Sequence, residues 1–123
     1  MAVRQFTLDR KYLESIGIIS VDIDNKTVDR YNMRSTKVIT TSATRSLQNN
    51  GKNGDIDYIN YIVCIRGKTY SFSNIVYAWF IGPIPKGFLI DHINGKTSDN
   101  SLSNLRIFTA SQNKKNNYKS MGR

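Results

Sequence analysis

One short segment holds most of the side chains able to do chemistry. Asp91 and His92 are adjacent, Asn104 follows in the same segment, and Asn113 and Asn117 come after it. A carboxylate is a hard oxygen donor for Mg²⁺ or a similar ion, and an amide oxygen is another, so Asp91 and Asn113 are candidate ligands. Imidazole titrates near neutrality. In slightly alkaline solution it is largely uncharged and can take a proton from water, which makes His92 a candidate base. Hydrolysis of a phosphodiester requires these parts: a base for the water, and a cation for the charge on the phosphate and the leaving oxygen. The chain has 1 His and 1 Cys. A disulfide within the chain, a cysteine-based zinc site and a Ser-His-Asp arrangement away from His92 are therefore excluded.

Local signals say what must position these groups. Phe88–Ile93 reads as a short apolar strand that breaks into Asp91-His92. Asn94-Gly95 opens a polar loop that runs to Ser103, and Leu105–Phe108 reads as a second strand. Thr109-Ala110-Ser111-Gln112 matches a capping box, which starts a helix with Asn113 in its first two turns and Asn116 and Asn117 below it. The unit is strand, loop, strand, helix. A regular strand aims adjacent side chains at opposite faces. Asp91 and His92 can serve one phosphate only where the strand ends or twists, and the Asn94-Gly95 turn permits that.

Upstream, Leu8, Tyr12, Leu13 and Ile16 fall at helical spacing between Asp9 as start and Gly17 as stop. Ile18–Asp24 alternates as a strand, Asp24-Asn25-Lys26 turns into Thr27–Tyr31, and Val38–Thr44 is a further β-branched run. Gln48–Asp55 is composed as a loop. Tyr58–Arg66 is the clearest strand, with Gly67-Lys68 turning it into Thr69–Phe72. Cys64 within it is expected as a small buried hydrophobe. Ser73–Phe80 predicts a helix with Ile75, Val76, Trp79 and Phe80 on one apolar face and Trp79 in the core. Gly82-Pro83 ends it, and Pro85-Lys86-Gly87 makes another turn.

The composition of the 123 residues, 39% hydrophobic and 22% charged, suits one folded domain and excludes a disordered or low-complexity chain. The formal net charge is +9 and unevenly spread. Residues 1–60 carry nine basic and seven acidic side chains; residues 61–123 carry nine basic ones against Asp91 and Asp99 alone. Such a bias suits a polyanion, most often nucleic acid. The longest apolar stretch, Ile75–Ile84, is broken by Gly82 and Pro83 and falls short of the roughly 20 residues of a membrane span. The opening residues lack the apolar region of a signal peptide, so the expectation is a soluble, intracellular, cytoplasmic protein without a membrane partner.

The combined pattern resembles the HNH endonuclease family, in particular its phage and intron-associated, homing-type branch. The residues that carry the resemblance are Ile81-Gly-Pro-Ile-Pro-Lys-Gly87, Asp91-His-Ile-Asn-Gly95, the Asp99-Asn100 pair with Asn104-Leu105-Arg106, and Asn113 with Asn117, in that order. The resemblance covers about residues 58–117. The expected fold is α+β: an antiparallel, strand-rich N-terminal part over 1–57, a candidate DNA-contacting part, and then, as the resemblance implies, a ββα-metal nuclease domain over 58–123 with its core motif at 88–117. The resemblance implies His92 as general base and Asp91 as metal ligand. Asn104 would fix the loop and help orient the base. Asn113 would be the second ligand, and Asn117 sits where other branches place a further one. Asparagine at position 113, where the family often has histidine, suits one Mg²⁺ or Mn²⁺ ion better than Zn²⁺. Ser73-Asn74 departs from the His-Arg pair common in the family's aromatic helix, which bears on DNA contact or packing rather than chemistry.

The implied substrate is double-stranded DNA, with Arg66, Lys68, Lys86, Arg106, Lys114, Lys115 and Lys119 as candidate phosphate contacts. One histidine gives one active site per chain, so a nicking enzyme is expected, as monomer or homodimer. Two rivals remain at this level. One is a non-catalytic basic DNA-binding protein with a degenerate HNH unit, its Arg66–Lys68 hairpin lying in a groove. The other is a basic RNA-binding protein.

Overall fold

The structure is a computed structural model that describes residues 6–32, 34–45 and 60–109. The described residues form an α+β arrangement of two helices and three antiparallel sheets. Helix α1 (Arg10–Ser15) begins where the sequence predicts: the Asp9 carboxylate accepts a hydrogen bond from the Tyr12 backbone N–H at 2.8 Å, satisfying one of the unpaired donors of the first turn. It ends at Gly17, whose φ of +103° favours glycine. A β-carbon there would lie 2.9 Å from the Tyr31 carbonyl oxygen, and that neighbour is backbone that cannot step aside. Gly17→Ala should therefore lower the free energy of unfolding by about 1–3 kcal/mol, read as a shifted urea midpoint; an unshifted midpoint would contradict this packing.

Strands β1 (Ile18–Asp22), β2 (Thr27–Asn32) and β3 (Lys37–Ser42) form a meander in the order β1-β2-β3. The register shifts between Ile18 and Ser20, an irregularity that lets Ile18 and Val21, three apart, both face the core with Val28. At Ala43 the chain leaves this sheet. β4 (Thr44–Arg45) joins β5 (Tyr61–Ile65) and β6 (Lys68–Ser71) in a second one, ordered β4-β5-β6. The β5–β6 turn is centred on Arg66-Gly67 rather than Gly67-Lys68. Both residues have positive φ, 53° and 79°, as a two-residue type I′ hairpin requires. Alternation along β5 sends Val63 and Ile65 inward, so Cys64 between them is exposed; the expectation of a buried cysteine is corrected.

Helix α2 (Phe72–Phe80) starts one residue earlier than its sequence pattern suggests. Phe72, Ile75, Val76 and Trp79, at i, i+3, i+4 and i+7, form the buried stripe, and Phe80 falls off it with 44% of its surface exposed. The face predicted from Ile75, Val76, Trp79 and Phe80 is corrected accordingly. Beyond α2, Ile84 pairs with Leu8 through two backbone hydrogen bonds of 2.7 and 2.9 Å, and both side chains are fully buried. The Gly-Pro-Ile-Pro turn thus pins the N-terminal segment to the region that precedes β7. Leu13, Ile18, Val21 and Val28 share one apolar cluster with Phe72, Ile75, Trp79, Ile84 and Leu105. No described helix is long and apolar enough to cross a membrane.

Candidate active site

Strands β7 (Phe88–His92) and β8 (Leu105–Thr109) form the third sheet, an antiparallel pair in the register Asp91↔Arg106 and His92↔Leu105. β7 stops at His92, so the strand does end at the adjacent pair. Leu105 is buried in the common core and fixes the position of this end of the hairpin. A 3₁₀ turn, Leu102–Asn104, closes the predicted polar loop and leads into β8.

The loop between the strands is closed by polar side chains. Gly95, at φ 79°, returns its N–H to the His92 carbonyl at 2.8 Å. Asn104 is 93% shielded from solvent and spans the loop. Its Oδ1 accepts from the Asn94 N–H at 2.9 Å and its Nδ2 donates to the Asp99 carbonyl at 2.8 Å, while its own carbonyl accepts from Ile93 at 2.8 Å. Asp99 gathers the other limb: it accepts from the Ser101 hydroxyl at 2.6 Å, the Ser101 N–H at 3.1 Å and Asn94 Nδ2 at 2.9 Å. The Ser101 hydroxyl and N–H, then Asn94 and the nearby His92, hold the Asp99 carboxyl below its ordinary value, with desolvation opposing them. An Asn or Asp that bonds neighbouring backbone groups makes the loop rigid at the cost of few residues.

Two contacts define the surroundings of the chemical groups. The His92 Nε2 lies 3.1 Å from Oδ1 of Asn100, a residue only 5% exposed. The Asp91 Oδ2 accepts a hydrogen bond from Arg106 Nε at 2.7 Å, with the two side chains 19% and 55% exposed. The register that sets Asp91 opposite Arg106 makes this pair. The carboxylate, largely shielded itself, thus faces the positive charge of a half-exposed guanidinium. Among the described residues no group of three or more His, Cys, Asp or Glu could hold a metal ion. Asp91 offers a hard anionic oxygen, which fits Mg²⁺ or Mn²⁺ as one ligand of several.

The remaining sequence candidates are distributed. Asn113, Asn117, Lys114, Lys115 and Lys119 lie outside the described residues, as do the capping box from position 110 onward, the Gln48–Asp55 loop, and Tyr58 and Ile59. Arg66 and Lys68 are on the second sheet, apart in topology from the β7–β8 hairpin, and both are exposed. Lys68 holds its ammonium 4.9 Å from the Phe6 ring centroid and 6.0 Å from that of Tyr70, so aromatic faces share its charge. Lys86 is exposed in the turn before β7. Arg106 is engaged by Asp91, so a phosphate reaching it would meet that carboxylate too.

Asn100 is the residue at this site to which sequence reasoning gave no role. It stands in the quoted Asp99-Asn100 pair, but an asparagine in a polar loop carries no local sign of being buried. A family model for HNH endonucleases matches residues 70–115. That span takes in β6 in part, α2, the Gly-Pro-Ile-Pro turn and the whole β7–β8 hairpin with its loop, and it points to nuclease activity. No curated protein and no solved structure matches the chain.

Proposed function

We propose that this chain is a divalent-metal-dependent endonuclease that hydrolyses phosphodiester bonds in double-stranded DNA, one strand per engagement. The observation that carries the reading is the coincidence of the HNH endonuclease match with a hairpin that ends on adjacent Asp91 and His92. In this reading His92 takes a proton from water. The water oxygen bonds to phosphorus as the bond to the 3′ oxygen breaks, and the departing oxygen takes a proton from solvent, leaving a 3′-hydroxyl and a 5′-phosphate. Asp91 and Asn113, with Asn117 as a further candidate, would hold one Mg²⁺ or Mn²⁺ ion. When bound, that ion supplies charge neutralisation at the phosphate and the leaving oxygen. Asn104 keeps the loop closed around the base through its two backbone partners.

A supercoiled plasmid, incubated with Mg²⁺ and with or without chelator, tests this directly. Cleavage should require the metal, and at limiting protein the open circle should precede the linear form, because one histidine gives one site per chain. Linear DNA from the start, with a protein that sediments as a dimer, would overturn nicking and leave the nuclease reading standing. Metal-independent binding without any cleavage would favour the non-catalytic alternative instead.

The net charge of +9 makes a separate prediction. If about five phosphates are neutralised, log K for duplex DNA should fall with log salt at a slope of roughly −4.5. A slope near zero in a fluorescence-anisotropy titration would mean the positive charge is not used on DNA.

A further inference from the structure

We infer that Asn100 is the positioning residue for His92: its side-chain oxygen holds the imidazole in the Nε2–H form and leaves the Nδ1 lone pair to take the proton from water. The inference rests on the nuclease reading above for the use of that lone pair, but the hydrogen bond itself does not depend on it. A neutral imidazole has one N–H and one lone pair, and the partner of one nitrogen decides which nitrogen carries the proton. An amide oxygen only accepts. With Oδ1 of Asn100 at 3.1 Å from Nε2, the proton belongs on Nε2.

The acceptor is held firmly. Asp99, just before it, has its carbonyl bound by Asn104 Nδ2 and its carboxylate bound by Asn94 and Ser101, the residue just after. Asn100 is therefore fixed from both sides and is 5% exposed, so water does not readily replace it. The division of labour differs from the one the sequence suggests. Asn104 has its amide oxygen and nitrogen engaged by two backbone groups of the loop, and it shapes the loop. The side chain that touches the imidazole is that of Asn100. The opposite amide orientation would aim a donor at Nε2, place the proton on Nδ1 and block both nitrogens as bases, which makes the choice decisive for function.

The chain's single histidine gives an unambiguous probe. In metal-free, DNA-free protein labelled with ring-¹⁵N histidine, at about pH 8 where imidazole is neutral, Nε2 should show the protonated, pyrrole-type shift. Nδ1 should show the unprotonated, pyridine-type shift, without averaging. Asn100→Leu should move both shifts toward the mixture of forms of a free imidazole. It should also lower kcat at saturating DNA by roughly 10–100-fold with KM little changed. Asn100→Asp keeps an acceptor and should restore the fixed form and most of kcat. A proton found on Nδ1 in the wild-type protein overturns the inference. So do wild-type shifts in Asn100→Leu, or an Asn100→Asp no faster than Asn100→Leu. Should Asn100→Leu fail to fold, the wild-type shifts and Asn100→Asp still decide. A wild-type protein that cleaves no DNA under any divalent metal removes the nuclease reading, while the shifts continue to report whether Asn100 holds the ring.

Discussion

Asp91→Ala should abolish plasmid cleavage while leaving the fold intact. Asp91 accepts from Arg106 across the hairpin, with the carboxylate side chain 19% and the arginine side chain 55% exposed. A pair open to solvent on its arginine side contributes about 0–1 kcal/mol, so the variant should still unfold cooperatively, with a modestly lowered midpoint. Activity is different. A divalent ion at a phosphate contributes several kcal/mol of transition-state charge stabilisation. Each 1.4 kcal/mol, roughly, is a factor of ten in rate. Removing this anionic donor should therefore take the rate down by roughly a thousandfold or more. Calorimetric titration with Mn²⁺ should lose its binding signal in parallel. Full activity in this variant would sink Asp91 as a ligand.

The second large effect is expected at His92. Replacement by alanine should slow single-turnover cleavage by roughly 10²–10⁴, the usual contribution of a positioned base, with DNA affinity nearly unchanged. Affinity is set by the spread of positive charge, which the substitution leaves alone. The variant also removes the partner of a buried amide. Asn100 then has an unmet oxygen, at a cost of about 1–3 kcal/mol in stability, so cleavage and folding must be measured on the same preparation. Cleavage within a factor of a few of wild type, with the fold retained, would rule out His92 as the base.

Much of the local architecture is legible without tertiary information because short-range chemistry dictates it. Asp9 and Gly17 bracket α1 since one accepts from the first helical turn and the other takes a positive φ. Ile75, Val76 and Trp79 announce a helix by spacing, and the turn at Asn94-Gly95 announces where β7 must stop. The adjacency of Asp91 and His92 at a strand end follows from these signals. The same local rules failed by one residue at both ends of α2's apolar stripe. Phe72 belongs to the stripe and Phe80 does not, because a helix's buried face is set by what packs against it.

What tertiary structure alone decides is which side chains meet. Arg106 faces Asp91 because of the β7–β8 register, and a slip of one residue would turn every side chain of β8 to the other face. Leu8 meets Ile84 across most of the described chain. Cys64 is exposed because its two neighbours claim the core. Asn100 reaches His92 only after Asn104, Asp99 and Ser101 have closed the loop, and nothing in a run of polar residues says which amide will end up buried. Residue order along one hairpin carries the chemical types. The pairing of an imidazole with one particular asparagine was decided by loop closure, since a hydrogen bond requires an atom within about 3 Å and no propensity or periodicity acts at that resolution.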